Sequence, residues 1–343
     1  MSLLTILGIG ASLPDRTVFN DELERLTGFP AARISSMFDI EERRWSRGID
    51  RADPPKGQRC SDLAVSASLA ALRDSGVAAG EIGAIITVST TPDFLNPPLD
   101  FLVAQGLGLL GVPAFSLQAP CTGAFRAVEL ASALSARVGH RPLLIVAAET
   151  PSPFFRFGQN IPTDQVLNSV LYADGAGALV VAQAPAQDRP VIETVDLLIN
   201  SDAASSGITF PGMLSALPPG ADRYESADYL GHHDFRRVLR RGSKLAAGAA
   251  LRLMEKLGVG AGDVRFFLTH QATGNIRRIA ASYGLPAEKI PINIQRVGNT
   301  IGASVLILLD ELAHGGDLKR GDLLVLHTAE SSTWSSAAMA IRW

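Results

Sequence analysis

One pattern occurs twice in the chain, about half its length apart. Ser61-Asp-Leu-Ala-Val-Ser-Ala-Ser-Leu-Ala-Ala-Leu-Arg-Asp-Ser-Gly-Val is echoed by Ser243-Lys-Leu-Ala-Ala-Gly-Ala-Ala-Leu-Arg-Leu-Met-Glu-Lys-Leu-Gly-Val. Each predicts an Ala/Leu-rich helix closed by glycine, the residue that enters the left-handed conformation of a C-terminal cap without strain. In both places an apolar run follows, Gly80-Glu-Ile-Gly-Ala-Ile-Ile-Thr-Val and Gly262-Asp-Val-Arg-Phe-Phe-Leu-Thr-His. Continuous apolar runs of this length predict buried parallel strands ending in polar loops. Farther on, a helix from Cys121 followed by Arg141-Pro-Leu-Leu-Ile-Val-Ala-Ala-Glu pairs with a helix from Thr300 followed by Arg320-Gly-Asp-Leu-Leu-Val-Leu-His-Thr-Ala-Glu. Repeats this long predict a duplicated α/β domain, with halves at 1–185 and 186–343 about a pseudo-two-fold axis.

The duplication sets Cys121 opposite the Asn299-Thr300 turn and Val88 opposite His270. Ligands of open α/β sheets gather beyond the carboxyl ends of strands, so the loops bearing Cys121, His270 and Asn299 are expected to meet in one cleft. Cys121 follows an apolar segment ending at Pro120 and precedes Ala124, Val128, Ala131 and Leu134 at helical spacing. That predicts a thiol in the first turn of a helix, where free N–H groups and the helix dipole favour thiolate. His270 stands at a strand end. His327, after Asp322-Leu-Leu-Val-Leu, is its rival, while His140, His232, His233 and His314 fall in loop-like contexts. Asn299, in Val297-Gly-Asn-Thr-Ile-Gly-Ala-Ser, is either a turn residue or a neutral donor suited to a developing oxyanion.

With 343 residues, 47% of them hydrophobic, the chain can bury a large core. No apolar run reaches the ~20 residues of a membrane helix. The start shows neither a basic leader nor a cleavage site, so a cytoplasmic protein is expected. Two cysteines, Cys60 and Cys121, make no disulfide framework and no metal-ligand spacing. A net charge of −3 argues against nucleic acid as a partner. Gly8-Ile-Gly lacks a third glycine and a following helix, which excludes a dinucleotide fingerprint, and Asp174-Gly-Ala-Gly-Ala is read as a close backbone approach in a core strand. Arg236, Arg237, Arg240 and Arg241 occupy adjoining helical positions, either as a solvated face or as a docking patch for an acidic carrier protein.

Taken together, Ala119-Pro-Cys-Thr-Gly-Ala, Thr269-His-Gln-Ala and Val297-Gly-Asn-Thr-Ile-Gly-Ala-Ser resemble the cysteine, histidine and asparagine motifs of β-ketoacyl-acyl carrier protein synthase III. The resemblance runs from Gly8-Ile-Gly-Ala-Ser-Leu-Pro to Thr333-Trp. It implies the thiolase fold, a five-layered αβαβα arrangement of two duplicated halves, and a homodimer. By that resemblance Cys121 takes an acyl group from a thioester, and His270 and Asn299 stabilise the enolate of a decarboxylating malonyl thioester that attacks it. Acyl transfer to a hydroxyl or amine, or an inactive scaffold subunit, are the alternatives. The thioester is the substrate, on acyl carrier protein or coenzyme A, and no tightly bound cofactor is implied. Where the family holds coenzyme A with a tryptophan and arginines, this chain has Arg33, Met37, Gln165 and Asn275, which favours a carrier-bound donor. Its glycine-rich loop is Thr328-Ala-Glu-Ser-Ser-Thr-Trp here, so Glu330 or Ser331 is expected to present the second oxyanion N–H. Phe94 and Leu95, beside Pro97-Pro98, are expected near a partner subunit's acyl pocket, with Phe154, Phe155 and Phe157 as further lining. The stretch from Ser201 to Tyr229 is read as an excursion over the cleft carrying acceptor specificity.

Overall fold

Nine strands form one hydrogen-bonded sheet: β1 (Leu4–Ser12), β2 (Ala84–Val88), β3 (Ala114–Leu117), β4 (Leu143–Glu149), β5 (Gly175–Ala182), β6 (Val191–Ile199), β7 (Val264–Thr269), β8 (Leu323–Glu330) and β9 (Ser335–Arg342). This computed structural model describes residues 4–46, 59–155, 157–158, 161–183, 188–199, 205–209 and 232–343. The sheet order is β7-β8-β9-β6-β1-β5-β4-β2-β3. Within it, β2-β4-β5-β1 and β7-β8-β9-β6 repeat one another in order and direction. The first pair of each set is parallel and the next two pairs are antiparallel. The sets join where β1 and β6 pair at Leu4↔Ile192 and Thr5↔Val191. The expected boundary near residue 185 falls in 184–187, outside the described residues.

Six helices cover the faces: α1 (Cys60–Ser75), α2 (Leu99–Gly106), α3 (Gly123–Leu134), α4 (Ser243–Leu257), α5 (Ile276–Ala281) and α6 (Ser304–Gly315). The repeated helices of the sequence are α1 and α4, each closed by a left-handed glycine, Gly76 at φ 70° and Gly258 at φ 68°. Between the two sheet halves, α3 and α6 share one apolar cluster with both, including Phe125, Val128, Leu306, Leu179 and Leu326. On the outer faces, α1 packs on β1, β5 and β4, and α4 packs on β8 and β9. Five layers result. Strands covered on both faces are predominantly apolar, and β4 and β5 are buried at every position, β4 ending in the buried carboxyl of Glu149.

Two glycine motifs have packing roles, the second of them as the sequence suggests. A Cβ on Gly8 would lie 2.4 Å from the Ala71 carbonyl oxygen, and one on Gly177 would lie 2.6 Å from Leu306 Cβ. The glycines let α1 and α6 lie directly on the strands.

Candidate active site

Cys121 lies just ahead of α3, whose N-cap is Thr122. It is partly accessible and borders a cluster containing Trp45, Tyr172 and Ile301. The expectation that a helix terminus favours the thiolate is corrected here. Burial pushes the Cys121 thiol up, and the carboxylates of Glu330 and then Glu149 push it further. A helix N-terminus favours a nearby anion by only about 0.3–1 kcal/mol. Desolvation can shift a pKa by up to about 3–5 units, each worth about 1.4 kcal/mol, so burial wins.

His270 follows β7 and is buried, with Nε2 3.4 Å from Cys121 Sγ. Burial lowers its pKa to about 4, so at neutral pH the pair is an uncharged thiol and an uncharged imidazole. On the other side of the ring, Nδ1 lies 2.7 Å from Ser304 Oγ, at the start of α6. A carboxylate there would fix the proton on Nδ1 and raise the basicity of the ring. A hydroxyl donates or accepts, so it pairs with either neutral tautomer. With Nε2 bare, the ring can receive the thiol proton; with Nε2–H it can donate to an oxyanion. Ser304→Ala should slow the chemical steps roughly tenfold, the loss of one hydrogen bond of about 1.5 kcal/mol. Single-turnover rates with unchanged substrate affinity would check this.

Asn299 is reached through backbone pairing: its N–H donates to Leu171 O at 3.1 Å, and its carbonyl accepts from Ala173 N–H at 2.9 Å. Asn299 Oδ1 accepts the Ile301 N–H at 2.9 Å, which orients the amide. The Nδ2 group has no partner among the described residues. A Cβ on Gly302 would lie 2.9 Å from Pro120 O, so the turn after Asn299 sits directly against the turn that carries Cys121. The strand-end cleft of the sequence reading therefore has its cysteine and histidine in contact, with the asparagine on the adjoining turn.

The other expected residues sort differently. Phe155 and Phe157 pack beside Trp45, with ring centroids 5.3 and 6.0 Å away, in the cluster that Cys121 borders. Phe154 instead faces solvent, at the end of a short turn, so it does not line this wall. Phe94 and Leu95 are exposed in the single chain. His327, the rival histidine, is buried within β8, three residues short of its end, with Nδ1 3.0 Å from Ala246 O. The arginine run is also corrected. It is a helical turn (Phe235–Arg237) followed by a π-helical turn (Val238–Gly242), and Arg237 and Arg241 stack over the buried Trp334 ring at 5.1 and 4.7 Å. Arg236 and Arg240 remain exposed, flanking exposed Leu239. Arg33 lies over Phe29 at 5.6 Å, and Asn275 Nδ2 donates to the carbonyl of exposed Met37. Gln165 pairs with Asp164 on the helix Thr163–Leu171. Of the stretch Ser201–Tyr229, residues 201–204 and 210–229 lie outside the described residues.

Several site residues escape the sequence reading. His233, placed there in a loop, is buried, with Nδ1 2.8 Å from Asn168 Oδ1 and its ring stacked on Phe235. Burial raises the pKa of the Tyr172 hydroxyl, and the charges of Cys121 and then Glu149 raise it further. Glu149 accepts from the backbone and side chains of Thr90 and Thr91, and burial lifts its pKa to about 7. A separate cavity of about 650 Å³, lined by Asp188, Arg189, Arg320, Arg342 and Trp343, holds none of these residues. Its arginines are already engaged, by Asp188, Glu193 and the Leu7 carbonyl.

The family model of 3-oxoacyl-acyl-carrier-protein (ACP) synthase III matches residues 115–205, and the model of its C-terminal part matches residues 254–343. The chain is 30% identical over 340 residues to a β-ketoacyl-acyl-carrier-protein synthase III of Desulfitobacterium hafniense, covering 98% of this chain and 97% of that one. The chain belongs to the 3-oxoacyl-acyl-carrier-protein synthase III family. A solved synthase III of Pseudomonas aeruginosa PAO1 superposes with a TM-score of 0.85 at 26% identity, over 99% of this chain and 98% of that one. The priming β-ketosynthase of the R1128 polyketide pathway gives 0.80 at 25% identity, over 99% and 96%. The fold is the thiolase fold, and the chain is an acyl-transferring, condensing enzyme. Among the described residues no helix is long and apolar enough to cross a membrane.

Proposed function

We propose that this enzyme joins an acyl thioester to a malonyl-type thioester through an acyl-Cys121 intermediate. The observation that carries the reading is the 3.4 Å contact between Cys121 Sγ and His270 Nε2, with Asn299 on the adjoining turn. In the first half-reaction the thiol proton passes to His270 Nε2. The sulfur attacks the thioester carbonyl, the donor thiol leaves with a proton, and the acyl group stays on Cys121. In the second, the malonyl carboxylate departs as carbon dioxide, and its electron pair forms an enolate held by His270 Nε2–H and Asn299 Nδ2. The enolate carbon attacks the acyl carbonyl and expels the Cys121 sulfur, leaving a β-ketoacyl thioester. Intact mass after incubation with acyl thioesters, followed by measurement of carbon dioxide from a malonyl thioester, tests both halves. No adduct on Cys121 with any donor would remove the proposal.

The donor is proposed to arrive on a carrier protein. Support comes from Arg33, Met37, Gln165 and Asn275 at the positions where the resemblance implies coenzyme A contacts, and from Arg236 and Arg240 exposed around Leu239. Arg236→Glu with Arg240→Glu should lower kcat/KM for carrier-bound donors roughly tenfold at low salt, through a slower encounter. Turnover of a short thioester without carrier should be unaffected, and equal loss with both donors would remove the docking role.

A second copy of the chain is proposed at β3, the edge of the sheet. Phe115 on that strand and nearby Phe101 and Leu110 are exposed, and an uncovered apolar edge strand is a template for pairing. Sedimentation at the mass of one chain would exclude it. A cytoplasmic location is supported by the two unpaired cysteines.

A further inference from the structure

Glu149 and Glu330 are counterparts in the duplication, each ending the strand (β4 or β8) that follows the helix of its half. Each is buried beneath the turn of the opposite half. A Cβ on Gly302, after Asn299, would lie 3.4 Å from Glu149 Oε1, while Glu330 Oε2 accepts the hydroxyl of Thr122, beside Cys121. The two carboxylates differ in what else they hold.

Glu330 belongs to a closed ring of side chains. Its Oε1 accepts from Thr333 Oγ1 at 2.6 Å and from Ser332 Oγ at 3.1 Å. Thr333 Oγ1 lies 2.7 Å from Ser335 Oγ, which accepts from Arg126 Nη2 at 3.5 Å. Arg126 Nε donates to Thr122 Oγ1 at 2.9 Å, and its Nη2 lies 3.6 Å from Glu330 Oε2. The circuit Thr122–Glu330–Thr333–Ser335–Arg126 thus ties the first turn of α3 to the β8–β9 loop. Thr122 directly precedes α3 with a helical backbone (φ −89°, ψ −3°), which does not turn its hydroxyl to a helix N–H, and it gives that hydroxyl to Glu330.

The contact joins two backbone donors. The Ser331 N–H has no partner among the described residues and the Cys121 N–H meets only its own sulfur, whereas the Ser331 carbonyl is held by Gly207 N–H at 2.9 Å. We propose that Glu330, through Thr122 and the Arg126 ion pair, is a positioning residue that locks the Cys121 turn to the Ser331 loop, so that their N–H groups address one oxyanion. Side chains here hold the loop in place of backbone geometry alone. The inference rests on the acyl-Cys121 reading above.

Its electrostatic consequence makes it testable apart from turnover. The groups around Cys121 are His270 after β7, Glu330 on β8, Glu149 on β4, Tyr172 after the helix Thr163–Leu171, and Arg126 on α3 behind Glu330. Removing the Glu330 charge lets the thiol ionise at lower pH, while removing Arg126 exposes that charge and raises the pH required. Two measurements together decide the matter. Rates of Cys121 alkylation by iodoacetamide between pH 7 and 10 should move to lower pH in Glu330→Gln and to higher pH in Arg126→Gln. The single-turnover rate of acylation from a saturating acyl thioester should fall at least tenfold in Glu330→Ala, with donor affinity within twofold. Where Glu330→Ala does not fold, Thr122→Val, which keeps shape and removes the hydroxyl, replaces it. An unmoved alkylation profile, or acylation within twofold of the parent, overturns the proposal. Because alkylation needs no thioester, an enzyme that fails to condense would still report on the ring.

Discussion

Cys121→Ser is expected to abolish the covalent adduct formed with acyl thioesters and to lower turnover by roughly a thousandfold or more. The substitution changes one atom, so the loss isolates what sulfur supplies. Cys121 rests as a neutral thiol because burial, Glu330 and Glu149 all oppose its charge, and its proton acceptor is a histidine whose pKa is lowered to about 4. Such a weak base can assist the departure of a thiol proton as sulfur attacks. A serine hydroxyl is several units less acidic still, and in the same surroundings its alkoxide would be costlier to form. Cys60 supplies the control. It is fully buried at the start of α1, with Sγ 3.4 Å from the Ala148 carbonyl oxygen and 3.6 Å from Ser89 Oγ, where no thioester reaches it. Native protein should take up one acyl group, Cys60→Ser should also take up one, and Cys121→Ser none. An adduct surviving in Cys121→Ser would move the nucleophile elsewhere.

Much of the frame was legible because duplication is a property of order along the chain. The helices α1 and α4, the parallel strands β2 and β7, and the turns bearing Cys121 and Asn299 recur in sequence as they do in the sheet. Residue types that chemistry demands at strand ends also stand out locally, which is how Cys121, His270 and Asn299 could be chosen before any geometry. Charge and solvation around those residues were not legible. The bond between Thr122 and Glu330 spans 208 residues, and nothing local marks Thr122 as other than a cap. Ser304, which faces His270 from α6, reads locally as an ordinary helix start. The arginine run divides for a related reason. Helical spacing says that four arginines are neighbours, but the π-helical turn and the indole of Trp334, contributed by the β8–β9 loop, decide that two of them face inward.

His270→Ala and Asn299→Ala are expected to depress carbon dioxide release from a malonyl thioester by roughly 10²- to 10⁴-fold each. Asn299→Ala should still accept an acyl group on Cys121. The asparagine's Oδ1 is engaged by Ile301 N–H, so its Nδ2 is the end available to an enolate oxygen. Asn299→Asp should be worse than Asn299→Ala, because a carboxylate in that place repels the oxyanion. The pH dependence separates this role from a charged one. The working form of His270 is the neutral ring, and its pKa lies below the ordinary histidine value. Decarboxylation limited by that group should stay level as pH falls through 6.5 and decline only toward about 4. Stability moves the other way across the same interval. Burial holds His233 near 3 and His270 and His327 near 4, so below the ordinary histidine pKa the unfolded chain binds protons that the folded chain does not. Each such site drains at most about 1.4 kcal/mol per pH unit, so rates in acid must be read by a brief pH jump, before unfolding. A decline centred on 6.5 in the jump experiment would mean that an ordinary, solvated histidine carries the step. Full carbon dioxide release by Asn299→Ala would remove the amide from the enolate site. Acyl transfer without any decarboxylation, unaffected by Asn299→Ala, would instead favour a hydroxyl or amine acceptor over a malonyl carbon.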